Sequence, residues 1–88
     1  MKQVTIYTTG SCPYCTMAKR FLDKKGVNYT EIRVDIDSSK RIEMEDRSRR
    51  TSVPQIFVED FHVGGFDDMQ ELAFDGELDE LLGISKDN

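Results

Sequence analysis

The sequence predicts an α/β fold, a mixed four-stranded sheet flanked by helices on both faces. Three observations carry that expectation. At 88 residues the chain has room for a single core and hence for one domain. Its apolar residues switch between the alternation or short runs of strands and the three- and four-residue spacing of helices. The resulting order is β-α-β-α-β-β-α with a short additional helix. Two strands joined by a helix favour a parallel, right-handed crossover, whereas the closing pair favours an antiparallel hairpin.

Val4-Thr5-Ile6-Tyr7-Thr8 is rich in β-branched and aromatic residues and reads as the first strand. Met17, Ala18, Phe21 and Leu22 then recur at helical spacing, with Lys19, Arg20 and Lys24 on the other face and Gly26 as the C-terminal cap. Tyr29 to Val34 reads as the second strand. Asp37 or Ser38 caps a charged helix running to about Arg49, whose thin buried stripe is expected at Ile42 and Met44. Gln55 to Glu59 is an apolar run like strands buried on both faces, and Phe61 to Val63 pairs with it through a tight turn near Asp60. Gly64-Gly65 breaks that strand, Asp67 caps the next helix with Gln70 at capping-box spacing, and a last helix spans Glu77 to Leu82. This order is the thioredoxin-like arrangement.

Charge and composition narrow the function. The net charge is −5, divided between 11 Lys/Arg against 7 Asp/Glu in residues 1–50 and Lys86 alone against 10 Asp/Glu in residues 51–88. An acidic chain is a poor candidate for nucleic-acid binding. No apolar stretch is long enough to cross a membrane, and the start of the chain lacks the apolar core of a signal peptide. A cytoplasmic location is therefore expected, with a monomer as the default state.

In such a compartment the two cysteines have a particular meaning. Cys12 and Cys15 would close only a tiny loop, whose entropic stabilisation is small, so a structural staple is a poor reading. Cys12-Pro13-Tyr14-Cys15 stands where the first strand hands over to the first helix. Pro13 suits the first helical position, which makes Cys12 the N-cap and Cys15 the third residue. The Cys12 sulfur then lies beside unsatisfied N–H groups at the positive end of the helix dipole. Both effects favour thiolate, so the Cys12 pKa should fall below the free value of about 8.5. Cys15, one turn in, should remain a buried thiol. An exposed sulfur of low pKa beside a protected one suits disulfide exchange, the first attacking and the second resolving. Zinc is disfavoured because structural zinc takes four ligands and His62 is the one further nitrogen or sulfur donor. Inert burial of both cysteines is disfavoured because a helix N-terminus is an exposed place.

Taken together, Cys12-Pro-Tyr-Cys15 after Ile6-Tyr7-Thr8, then Ser52-Val-Pro54-Gln-Ile-Phe, then Val63-Gly-Gly-Phe-Asp-Asp68, resemble a dithiol glutaredoxin of the small bacterial type. The likeness runs over about residues 3 to 82. It implies a glutathione-dependent oxidoreductase acting on protein disulfides and glutathione mixed disulfides, with Cys12 and Cys15 catalytic. Glutathione is then co-substrate, with no tightly bound cofactor and no metal. Partners would be disulfide-containing or glutathionylated proteins, ribonucleotide reductase being one such target. The family potential is about −200 to −230 mV.

The resemblance also implies a cis Val53–Pro54 bond facing the cysteines, with the Val53 backbone free to pair with an extended tripeptide. Tyr14, Ser52, Val53, Pro54 and Gly65 would line the glutathione site. Asp67 and Asp68 would hold the γ-glutamyl end, aided by N–H groups at a helix N-terminus. One departure stands out. Many relatives carry a lysine three residues before the first cysteine, and this chain has Thr9. Arg41 is therefore expected to take more of the glycyl carboxylate, with Arg50 a lesser candidate. His62 is expected on the surface, and Phe66 is given no role beyond packing.

Two rival readings differ in class. An electron donor reduced by thioredoxin reductase would usually lack the Gly64 to Asp68 anchor. An iron–sulfur carrier bridging two monomers is disfavoured by Pro13, which stiffens the loop.

Overall fold

The computed structural model describes residues 2–84. It contains β1 (Val4–Thr8), α1 (Pro13–Lys24), β2 (Tyr29–Arg33), α2 (Ser38–Ser48), β3 (Gln55–Val58), β4 (Phe61–Gly64), α3 (Phe66–Phe74) and α4 (Glu77–Leu82). The strands form one sheet in the order β2-β1-β3-β4. β1 and β2 are parallel, as the α1 crossover requires, and β3 is antiparallel to both β1 and β4.

Strand alternation divides the core in two. Val4 and Ile6 of β1, with Ile56 and Val58 of β3, pack against Ala18 and Leu22 of α1, Met69 of α3, and Leu78 and Leu82 of α4. Tyr7 and Phe57 point to the opposite face, where Val34 and Met44 of α2 cover them. The central strands are buried on both sides, which is why they read as nearly continuous apolar runs.

Three local details differ from the expected pattern. α2 buries Met44 and Ser48, while Ile42 is 61 % exposed. The reason lies outside the helix. The Tyr7 hydroxyl donates to Glu43 at 2.6 Å and accepts from Arg47 at 3.0 Å, which turns the Glu43–Arg47 side toward the sheet. Ser48 tolerates burial because its hydroxyl donates to the Met44 carbonyl at 2.7 Å and accepts from the Arg50 N–H at 3.0 Å.

α3 begins two residues earlier than an Asp67 cap would place it. Gly65 is the N-cap, and the Asp68 carboxylate reaches back to accept the Gly65 N–H at 2.9 Å. Asp67 sits at the second helical position. β2 stops at Arg33, although the Val34 N–H still bonds the Thr8 carbonyl at 2.9 Å. The end of α1 is as expected, with Gly26 at φ +73° just past the cap residue Lys25. The Gly26 and Val27 N–H groups close on the Asp23 and Leu22 carbonyls, each at 3.0 Å.

Candidate active site

Cys12 occupies the N-cap of α1, with Pro13 at the first helical position. The Cys15 N–H donates to the Cys12 sulfur at 3.1 Å, and the Cys12 carbonyl accepts from the Thr16 N–H at 3.1 Å. The sulfur of the outer cysteine thus sits on the unsatisfied amides that begin the helix. Cys15 is 1 % exposed, and Cys12 is half-buried. The two form a disulfide with Cα atoms 5.2 Å apart, inside the range such a bond needs.

Two tethers fix the approach to this cap. The Gly10 N–H donates to Asp35 at 3.0 Å, and Asp35 is held by a two-pronged contact from Arg33, both bonds 2.7 Å. The Arg33 guanidinium and the Gly10 amide keep the Asp35 carboxyl well below the usual carboxylate range. Farther along α1, Lys19 is paired to Glu31 at 2.9 Å, so its charge is already met by a carboxylate. The Lys19 hydrogen bond, with one from Thr8, lowers the Glu31 pKa.

Opposite the cysteines, Val53–Pro54 is a cis peptide bond. The Val53 carbonyl lies 3.8 Å from the Cys12 sulfur. Tyr14, Ser52, Val53, Pro54, Gly65, Phe66, Asp67 and Asp68 line one groove beside this contact. Its far end is the start of α3, where the first intrahelical bond is from the Met69 N–H to the Gly65 carbonyl at 3.1 Å. The N–H groups of Phe66, Asp67 and Asp68 precede that bond and face outward from the helix end.

Asp68 is engaged twice. Besides the Gly65 amide it accepts from Arg50 at 2.9 Å. The Arg50 hydrogen bond first, and the Gly65 N–H second, hold its carboxyl below the ordinary value. Gly64 lies beneath this corner at φ +110°, and a Cβ there would collide with the Asp68 side chain.

Seven of the ten expected site residues therefore line the groove, and Cys12 adjoins it while Cys15 lies behind. Arg41 is elsewhere: its guanidinium donates to the Thr51 carbonyl at 2.9 Å and pairs with Glu45 at 3.3 Å. Phe66, expected only to pack, forms a wall with Tyr14, their ring centres 6.1 Å apart. His62, expected on the surface, is half-buried and hydrogen-bonded to Gln55 at 2.7 Å. The signal that could have placed it was the pairing register, which sets His62 beside Phe57.

A redox-active cysteine pair capping the first helix of a thioredoxin-like sheet, faced by a cis-proline loop, defines a thiol–disulfide oxidoreductase. The glutaredoxin family model matches residues 4–63. Glutaredoxin 3 of Escherichia coli K12 is 50 % identical over 82 residues, covering 93 % of this chain and 99 % of its own. A glutaredoxin of Neisseria meningitidis serogroup A is 52 % identical over 83 residues, covering 93 % of this chain and 98 % of its own. Among solved structures, a buckwheat glutaredoxin–glutathione complex superposes with a TM-score of 0.84 at 25 % identity, over 93 % of this chain and 81 % of its own. The solution structure of Brucella melitensis glutaredoxin gives 0.82 at 46 % identity, over 93 % and 89 %. The chain belongs to the glutaredoxin family.

Proposed function

We propose that this oxidoreductase draws its electrons from glutathione and acts on glutathione mixed disulfides and protein disulfides. The observation that carries the reading is the groove running from the Cys12 sulfur to the start of α3. It offers peptide-like pairing at Val53, an aromatic wall at Tyr14 and Phe66, and both signs of charge at Asp68 and the helix end. A γ-linked tripeptide whose thiol is central and whose glutamyl end bears an ammonium and a carboxylate meets each of these groups. That the buckwheat relative was solved with glutathione supports the same reading.

The chemistry proceeds by two exchanges. The Cys12 thiolate attacks the glutathione sulfur of a mixed disulfide, and the target's sulfur leaves as a thiolate that takes a proton from solvent. A second glutathione thiolate then attacks the glutathionyl sulfur, releasing glutathione disulfide and regenerating Cys12. Alternatively Cys15, once deprotonated, attacks the Cys12 sulfur, expels glutathione and closes the internal disulfide. The Cys15 amide beside Cys12 lowers the energy of the thiolate as nucleophile and as leaving group alike.

Asp67 and Asp68 take the glutamyl ammonium, and the N–H groups beginning α3 take its carboxylate. Arg50, held on Asp68, lies at this same end of the groove. Arg41, held one residue from Ser52, is assigned to the glycyl carboxylate in place of the absent lysine. A steady-state assay of glutathione-dependent reduction of a glutathionylated peptide tests the reading. Turnover that saturates in the peptide is expected, and no turnover with glutathione as reductant would overturn it.

A further inference from the structure

We propose that His62 and Gln55 form a positioning relay that sets the direction of the Val53 N–H, so that His62, outside the groove, controls how well the groove binds its tripeptide. The inference rests on the glutathione reading above.

Gln55 opens β3 and is 1 % exposed. Its Nε2 donates to the Ser52 carbonyl at 3.0 Å and lies 3.4 Å from the Ser52 hydroxyl. Its Oε1 lies 2.7 Å from Nε2 of His62. A primary amide has one donor end and one acceptor end. With the donor end on the Ser52 carbonyl, the acceptor end must receive, so the His62 Nε2 carries the hydrogen. Turning the amide round would set two acceptors against each other at Ser52. The relay therefore has a single sense, from the His62 N–H through Gln55 to the Ser52 carbonyl.

Each end is anchored. The His62 ring stacks on Phe57 at 4.8 Å between centres and 27° between planes, and the Arg47 guanidinium lies 3.9 Å from the centre of the same Phe57 ring. At the other end, the Ser52–Val53 peptide is planar and trans, so its C=O and N–H point in opposite directions. Drawing the Ser52 carbonyl toward buried Gln55 turns the Val53 N–H away from the sheet, to the side where Ser52, Val53 and Pro54 line the groove. Among the described residues no acceptor meets that N–H. It is the donor that an extended tripeptide needs when it pairs like an added strand. Without the relay this peptide plane is free to rotate, and the donor is aimed correctly for a smaller share of the time.

His62→Phe keeps a ring over Phe57 and removes only the donor; Gln55→Met removes both relay bonds at similar volume. Each is assayed on a glutathionylated peptide for KM and kcat separately, and reduced Cys12 is alkylated with iodoacetamide, a reaction that needs no donor at Val53. Gln55→Met is expected to raise KM about five-fold, the worth of one net hydrogen bond. His62→Phe should raise it two- to three-fold on the same scale, roughly half that free energy. In both, kcat should stay within about two-fold and the alkylation rate should not change, as expected when only substrate binding is weakened. If Gln55→Met fails to fold, His62→Phe decides alone, since its position is half-exposed. An unchanged KM in folded variants, or KM, kcat and alkylation moving together, overturns the relay. Wild-type protein without glutathione-dependent turnover overturns the underlying reading and the relay with it, whereas wild-type turnover with unmoved variants overturns the relay alone.

Discussion

The amide of Cys15 points at the sulfur of Cys12 across 3.1 Å, so a single helical cap joins the two redox-active residues of this chain. The contact follows from Pro13 at the first helical position, which needs no amide and leaves the third residue's N–H to the cap. An acceptor sulfur there gains most when it carries negative charge. The same contact vanishes as a charge-assisted bond once Cys12 is alkylated or joined to a substrate, which helps to make exchange reversible.

The two cysteines should differ in consequence. Cys12→Ser is expected to abolish reduction of a glutathionylated peptide, and Cys15→Ser to leave it largely intact. Reduction of a protein disulfide should need both. Steady-state rates on the two substrate types check this, and an inactive Cys15 variant beside an active Cys12 variant would reverse the roles.

Gly64 is the glycine on which the α3 end of the groove depends. At φ +110° a side chain is strained, and a Cβ would displace the Asp68 carboxylate from beneath. Gly64→Ala should cost about 1–3 kcal/mol of stability and weaken glutathione binding more than it weakens Cys12 alkylation. Chemical denaturation and calorimetric titration of the reduced protein measure the two effects.

Asp68 should contribute to acid sensitivity. Its carboxyl is held below the ordinary value by Arg50 and then by the Gly65 amide, so the folded protein releases this proton more readily than the unfolded chain. The stabilisation is complete above the unfolded value of about 3.9 and disappears as pH falls through the lower folded value. Thermal melting of the wild type should therefore decline more steeply below about pH 4 than that of Asp68→Asn. Parallel curves for the two proteins would contradict the assignment.

α2 offers a clean contrast in packing. Met44 is wholly buried against Tyr7 and Phe57, whereas Ile42 is exposed. Met44→Ala should cost about 2–5 kcal/mol, and Ile42→Ala should stay within about 0.5 kcal/mol of wild type. Urea denaturation of both variants tests the orientation of the helix.

How far each feature could be read beforehand depended on the range of the interactions that fix it. β1 was legible because Val4, Ile6 and Tyr7 are buried on one face or the other and the residues themselves favour strands. α4 was legible because Leu78 and Leu82 sit one turn apart and both are buried. The Cys12 cap was legible because Pro13 marks the helix start locally. The cap of α3 was not, since Asp67 with Gln70 has capping-box spacing while the residue that takes the cap position, Gly65, has no side chain to signal it. Only the backbone at Gly64–Gly65 shows that Asp68 reaches back. The turn of α2 depends on Tyr7 meeting Glu43 and Arg47, partners 36 and 40 residues away. His62 escaped for a similar reason, because its stack on Phe57 exists only once β3 and β4 are in register. Arg41 is held on Thr51 by a bond that no spacing reveals.

The account turns on an ionised sulfur at the beginning of α1. Its most direct test is the rate of iodoacetamide alkylation of Cys12 in the fully reduced protein, followed as a function of pH. The rate should rise with a midpoint well under the free-cysteine value of about 8.5, with Cys15 unmodified throughout. A midpoint at or above that value would contradict it.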